Sequence, residues 1–256
     1  LMRSSAASDV YKRQSLLYAF NRNKVKHISV QPSLWDSRIS MPTSYPMVGK
    51  PLYGIYAYKW AGLNENGDPQ VYDAENNVTS GPARDYHALV YCGTTVPIHN
   101  ASLTNVLRYK GFEFSAMLIL DAGHKLRSSN IPSINMSNGR ITSTAKGIVD
   151  RWTQPGDVTD VPRLLFSNDT ENFNTHRTEL YRYSDLFVYD ASNIRLSNIS
   201  LAYRVPAHWC KKISLSGARL QFNVENVATF AFDSKANYDL GGKVKPHYVW
   251  GLYLNF

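Results

Sequence analysis

The 256 residues predict an all-β chain, antiparallel and up-and-down, forming the wall of a transmembrane β-barrel. Three observations lead there. Short segments alternate apolar and polar residues with the period of a two-faced strand, while helical periodicity is almost absent. The links between them come in two lengths: short at Lys110-Gly111 and around Pro206 to Gly217, long and polar over Gly62 to Asn100, Gly123 to Tyr189 and Phe232 to Lys245. After Ser102 the two lengths alternate in chain order. Compact domains rarely hold structureless links beyond about 12–15 residues. Barrels of the outer membrane carry short turns at one end and long extracellular loops at the other.

About seven strands are expected. Ser15 to Ile28 is a weak one, and Leu52 to Ala61 (LYGIYAYKWA) is plausible. Ser102 to Tyr109 and Phe112 to Asp121 form a hairpin on Lys110-Gly111, a two-residue link suited to a tight turn. Phe112, Phe114, Ala116, Leu118 and Leu120 give the second of these an apolar face. Ser197 to Val205 sets Ile199, Leu201, Tyr203 and Val205 against Asn198, Ser200, Ala202 and Arg204. Ala218 to Val227 sets Leu220, Phe222 and Val224 against Arg219, Gln221, Asn223 and Glu225. The last strand, His247 to Phe256, has Tyr248, Trp250, Leu252, Leu254 and Phe256 on one side. The link Ser29 to Lys50 fits this scheme poorly, because strand parity puts it at the short-turn end.

Composition narrows the field. Hydrophobic residues make up 43% of the chain, so wholesale disorder is not expected. No apolar run approaches the length of a membrane helix, yet barrel strands hide their apolar residues in alternation. Seventeen Tyr, ten Phe and five Trp need sites, and several cluster at strand ends as interfacial girdles do: Tyr109 with Phe112, Tyr203 with Trp209, Tyr248 with Trp250. A terminal Phe closing an alternating strand resembles the insertion signal of outer-membrane proteins, carried here by Tyr248, Trp250, Leu252, Leu254 and Phe256. The alternation by itself equally suits a secreted soluble β-sandwich that binds or hydrolyses carbohydrate, with Leu220, Phe222, Trp250 and Leu252 tucked inside. Two cysteines, Cys92 and Cys210, make neither a disulfide framework nor a zinc pattern and read as separate free thiols.

Residues 1–14, LMRSSAASDVYKRQ, resemble the translated end of a sequencing adapter, and are expected to be an artefact joined to a longer protein whose C-terminal part is 15–256. Setting aside Arg3, Lys12 and Arg13 against Asp9 lowers the net charge from +8 to +6. That charge is dispersed, with no basic stripe, so no nucleic-acid partner is expected.

Five stretches, in order, carry a family resemblance: PLYGIYAYKWAGLNENGDPQVYD (Pro51 to Asp73), LTNVLRYKGFEFSAML (Leu103 to Leu118), RWTQPGDVTDVPRL (Arg151 to Leu164), DASNIRLSNISLAYRVP (Asp190 to Pro206) and the last strand, with ARLQFNVENVATF (Ala218 to Phe230) like the penultimate one. Together they resemble the C-terminal part of SusC/RagA-family TonB-dependent outer-membrane transporters of Bacteroidota. The resemblance implies 22-stranded barrels located in the bacterial outer membrane, inserted by the barrel-assembly machinery. It implies nutrient import of oligosaccharide or peptide cargo, energised by TonB through an N-terminal part this chain lacks. It further implies a SusD-like surface lipoprotein as partner, with the links Gly62 to Asn100 and Gly123 to Tyr189 in its rim.

No catalytic group, cofactor or metal is expected. Asn64, Asn66, Asp68 and Glu75 follow a calcium-loop spacing, but Pro69 stands where the sharp turn needs Gly, so a polar turn is the better reading. Seven His lack ligand spacing, and no GxSxG elbow exposes a nucleophile. Six aromatics in the links, Trp60, Tyr72, Tyr86, Trp152, Tyr181 and Tyr183, are candidates for stacking on sugar rings or for the lipoprotein contact; ordinary loop packing is the competing reading.

Overall fold

A computed structural model describes residues 10–29, 37–81, 85–137, 140–141, 146–166, 175–241 and 245–256. The chain divides into two compact units. One comprises residues up to Asn21, Pro97–Gly123 and Ala191–Phe256; the other comprises Arg22–Val96 and His124–Asp190.

The first unit is one six-stranded antiparallel sheet: β1 (Val10–Phe20), β2 (His99–Tyr109), β3 (Phe112–Ala122), β4 (Asn193–Arg204), β5 (Gly217–Ala231) and β6 (His247–Asn255). Spatial order equals chain order, so the sheet is a plain meander. Lys110 (φ 44°) and Gly111 (φ 86°) close the β2–β3 hairpin with two left-handed residues, the turn whose twist matches paired strands. The β4–β5 link is also short and holds the helix Ala207–Lys211. Both long segments leave and rejoin the sheet at its other end.

Register explains the alternation. Directly opposed residues share a face, and Tyr109, Phe112, Tyr203, Leu220 and Leu252 stand level across five strands. The next level reads Leu107, Phe114, Leu201, Phe222 and Trp250. This apolar face is uncovered: Trp250 is 77%, Leu252 61% and Leu220 51% exposed. A soluble sandwich would bury these side chains, so that alternative is set aside. An aromatic row, Tyr109, Phe112 and Tyr203, lies near the short turns, with Phe112 and Tyr203 rings 4.5 Å apart. Tyr18, Phe20 and Phe230 lie toward the long-link end of the same face. Eleven residues of β3 separate the two ends. At ~3.4 Å per residue that is about 34 Å of strand, and at a barrel tilt of ~40° it spans about 26 Å, against an apolar band of about 25 Å.

Three features depart from the sequence reading. The first strand, expected over Ser15 to Ile28, runs Val10–Phe20 instead, its pairing with β2 starting within residues 1–14 and ending where Phe20 meets His99, the first residue of β2. Both β4 pairings shift register between Leu196 and Asn198, and Asn226 on β5 sits at φ 53°. This bulge flips the parity of β4, so Ile194 and Leu196 join the face of Ile199 and Leu201, and the strand begins at Asn193 rather than Ser197. The expected wall strand Leu52 to Ala61 belongs instead to the second unit, as Gly54–Tyr58 and Trp60–Leu63. All five residues of Gly54–Tyr58 are buried, which is the signature of a core strand and not of a two-faced one. With it removed, the residues between β1 and β2 form one long link, and the parity conflict at Ser29 to Lys50 disappears.

The second unit has its own core. Gly54–Tyr58 pairs with Leu89–Thr94, and Trp60–Leu63, Pro69–Tyr72 and Val78–Thr79 make a small sheet. Tyr56, Tyr58, Val71, Ala88, Leu89 and Leu180 pack in one cluster, and Ile134, Tyr181 and Phe187 in another. The links are therefore folded, not structureless. Among the described residues no helix is long and apolar enough to cross a membrane.

Candidate functional site

The face of the sheet opposite the apolar one gathers its ion pairs. Glu113 accepts from Arg108 Nε at 2.6 Å and from Arg219 Nη2 at 3.3 Å. Arg219 reaches it across β4, where the small Ala202 stands opposite Glu113 and is buried. Asp121 accepts from Asn100 at 2.6 Å and lies 3.8 Å from Arg195. Gln221 donates to Ser200 and Asn223. Apolar Met117 and Ile119 are interspersed. Part-exposed pairs of this kind add at most about 1 kcal/mol each, so their contribution is a hydrated, charged surface more than stability.

In the second unit a buried ionic lock joins distant segments. Asp68 accepts from Arg163 through both oxygens (3.2 and 2.8 Å) and from Arg177 Nε at 3.1 Å. Arg177, 1% exposed, also donates to the carbonyls of Ile134 and Arg163 and to Asn135 Oδ1. Burial pulls its pKa down and Asp68 pulls it back up; guanidinium stays charged throughout. The turn before Asp68 is built by Asn64, whose Oδ1 accepts from the N–H groups of Asn66 and Asp68. Of the two carboxylates in the calcium-like spacing, that of Asp68 is thus engaged by arginines.

The helix Thr175–Arg182 was not evident in the sequence. Arg177, Leu180 and Tyr181, at i, i+3 and i+4, form its buried stripe. That spacing is the signal that could have found it, masked because one member is an arginine. Beside this helix lies a recess of about 370 Å³ lined by Arg127, Ser133, Thr178, Tyr181, Arg182 and Tyr183 among others. Arg127 donates to the carbonyls of Tyr56 (2.7 Å), Arg182 (3.3 Å) and Ser184 (3.3 Å), and its pKa is lowered by burial first and by Arg182 last. Nothing in the sequence singled it out.

The six link aromatics fall into different settings. Tyr181 is 2% exposed, edge-on to Phe187 and near Trp60, and burial raises its pKa; it is a core residue and not a surface one. Trp60 is half-buried, its ring N–H donating to Asp160 at 3.0 Å. Trp152 lies against Gly67, whose φ of 73° and missing Cβ make room for the ring. Tyr72 sits under Lys59, and Tyr183 under Arg127 and Arg182. The side chain of Tyr86 lies outside the described residues. Tyr181 and Tyr183 share the recess; Trp60, Tyr72 and Trp152 are not among its described lining residues. Of the terminal set, Tyr248, Trp250, Leu252 and Leu254 point together from β6 on the apolar face, and Phe256 follows, 92% exposed.

No family model matches the chain. TonB-dependent receptor P3 of Formosa agariphila is 25% identical over 247 residues, covering 88% of this chain and 23% of that receptor. TonB-dependent receptor P26 of the same organism is 27% identical over 130 residues, covering 51% of this chain and 12% of that receptor. The chain thus spans a quarter or less of the curated relatives it matches. The RagAB peptide transporter structure superposes with a TM-score of 0.67 at 18% identity, over 97% of this chain and 28% of that one. The RagAB peptide importer in its "closed-closed" state gives 0.66 at 20% identity, over 97% and 28%. By sequence the chain is similar to TonB-dependent receptors of a Bacteroidota, and by fold it superposes on a stretch of the RagAB transporter.

Proposed function

We propose that the chain supplies wall and extracellular links to a TonB-dependent importer that moves oligosaccharides or peptides into the periplasm. The observation that carries the reading is the single meander with an uncovered apolar face and a charged opposite face. Such a wall meets lipid outside and lines a watery conduit inside. A SusD-like lipoprotein docks on the links, and TonB acts through the N-terminal part of the receptor. Trp60, Tyr72, Trp152 and Tyr183 are the partly exposed aromatics available for cargo or lipoprotein, and the buried Tyr181 packs against Trp60. Residues 1–14 are read as an artefact joined to the protein: Val10–Gln14 pair with β2 as the first part of β1, but there Lys12 and Gln14 put polar groups on the face that Leu16, Tyr18 and Phe20 make apolar.

The test is uptake by cells. Deleting the intact receptor's gene is expected to abolish entry of its labelled oligosaccharide or peptide cargo, with restoration by the wild-type gene. Uptake that persists unchanged for every cargo tried contradicts the reading. Deleting either long link is expected to lose the co-purifying lipoprotein, and its retention removes the links from the docking surface.

A further inference from the structure

We infer that the recess beside the helix Thr175–Arg182 binds a carboxylate carried by the imported cargo. The inference rests on the import reading for the source of the ligand and on the recess itself for the chemistry. The cavity of about 370 Å³ falls within the range of small-ligand sites, about 300–1,000 Å³, enough for one or two residues of a peptide or one or two sugar rings. Among the described residues that line it none is acidic.

Two guanidinium groups flank one ring there: Arg127 lies 5.4 Å and Arg182 5.8 Å from the centroid of Tyr183. Carbonyls take three of the five N–H donors of Arg127. A carbonyl satisfies a hydrogen bond but does not neutralise a charge; among the described residues Arg127 makes no ion pair with a carboxylate, and the neighbouring Arg182 repels it. The contrast within the same unit is Arg163 and Arg177, which share the carboxylate of Asp68. A charge drawn out of water is ordinarily paired, and here Arg127 and Arg182 both line the recess. Arginine pairs with a carboxylate through two parallel hydrogen bonds, and Thr178, whose Oγ1 accepts from Asn135 and keeps its own proton to donate, adds a hydroxyl, with the Tyr183 ring as an apolar wall. Both cargo classes carry their commonest anion in this form, as an acidic side chain or chain end in peptides and as a uronic acid in oligosaccharides.

The experiment uses the intact receptor in detergent and two matched probe pairs: triglutamate against triglutamine, and trigalacturonate against its methyl ester. Titration calorimetry is expected to show the charged member binding about tenfold or more tightly in at least one pair, as a charge-assisted hydrogen bond would provide. That advantage is expected to vanish in Arg182→Gln, whose side chain is exposed and carries no core packing; amide exchange at Tyr183 and Ser184 checks that the variant is folded. The pair that shows the preference identifies the source of the carboxylate. Equal binding within both pairs, or a preference that survives Arg182→Gln, overturns the inference. Uptake of neutral cargo is measured separately, so a receptor that imports yet shows no charge preference sinks this inference alone.

Discussion

Removing the carboxylate of Asp68 tests how the second unit is held together. Asp68→Ala leaves the guanidinium of Arg177, 1% exposed, without its only anionic partner among the described residues. Stripping one member from a buried ion pair costs about 3–5 kcal/mol. Two features lower that figure here: the Asp68 side chain is 19% exposed, and Arg177 keeps the acceptors on Ile134, Asn135 and Arg163. About 2–3 kcal/mol remains, and at about 1.4 kcal/mol per factor of ten this is a ~30- to ~150-fold rise in local opening. Asp68→Asn retains an acceptor and is expected to fall between wild type and Asp68→Ala. The assay is amide hydrogen exchange on the intact receptor in detergent. Arg163 N–H, bonded to Gly67 O, and Leu165 N–H, bonded to Ile134 O, report on the lock. Amides of β3, bonded within their own sheet, serve as the internal control. Exchange at 163 and 165 that changes less than threefold in Asp68→Ala would refute the assignment of the lock.

Three further outcomes follow from single residues. Lys110 holds a positive φ that only Gly, Asn and Asp adopt readily, so Lys110→Asn is expected to stabilise the hairpin by about 0.5–1 kcal/mol, read as a higher urea midpoint in detergent; a lower midpoint contradicts the turn geometry. Gly67→Ala drives a Cβ into the Trp152 ring at a left-handed backbone and is expected to cost about 1–3 kcal/mol, seen as faster exchange at Trp152; unchanged exchange there removes the contact. Cys92 has its thiol pushed up to about 11, chiefly by burial and then by Asp185. A raised value keeps an acid neutral, so at pH 8 it alkylates about a hundredfold more slowly than a thiol of ordinary pKa, and its rate climbs tenfold per pH unit until about pH 11; a plateau near pH 9 contradicts the burial.

The wall was legible because it obeys one rule along nearly all of its length. Period-two alternation marked the strands that became β3, β5 and β6, and the Lys110-Gly111 turn fixed the pairing of β2 with β3. Legibility failed where a local feature overrode the rule. The bulge at Leu196–Asn198 reverses the parity of β4, and so concealed its first residues. Gly54–Tyr58 resembled a wall strand because short apolar runs look alike whether lipid or protein surrounds them, and only its burial on both sides separates the two. The second unit was almost unreadable. Its lock joins Asp68 to residues 95 and 109 positions away, and no spacing rule connects such positions. Tyr181 looked like a loop aromatic because the eight-residue helix that buries it hides an arginine in its inner stripe.

The most direct measurement places spin labels on the two faces of the sheet in outer-membrane vesicles, using single cysteines at Leu118, Leu201 and Leu252 on one and Ser115, Ser200 and Asn223 on the other, in a background lacking Cys92 and Cys210. Labels at 118, 201 and 252 are expected to collide readily with oxygen and poorly with a polar nickel chelate, and labels at 115, 200 and 223 to do the reverse. Equal chelate access on both faces, or protection of both from oxygen and chelate alike, contradicts a wall with hydrocarbon on one side and water on the other.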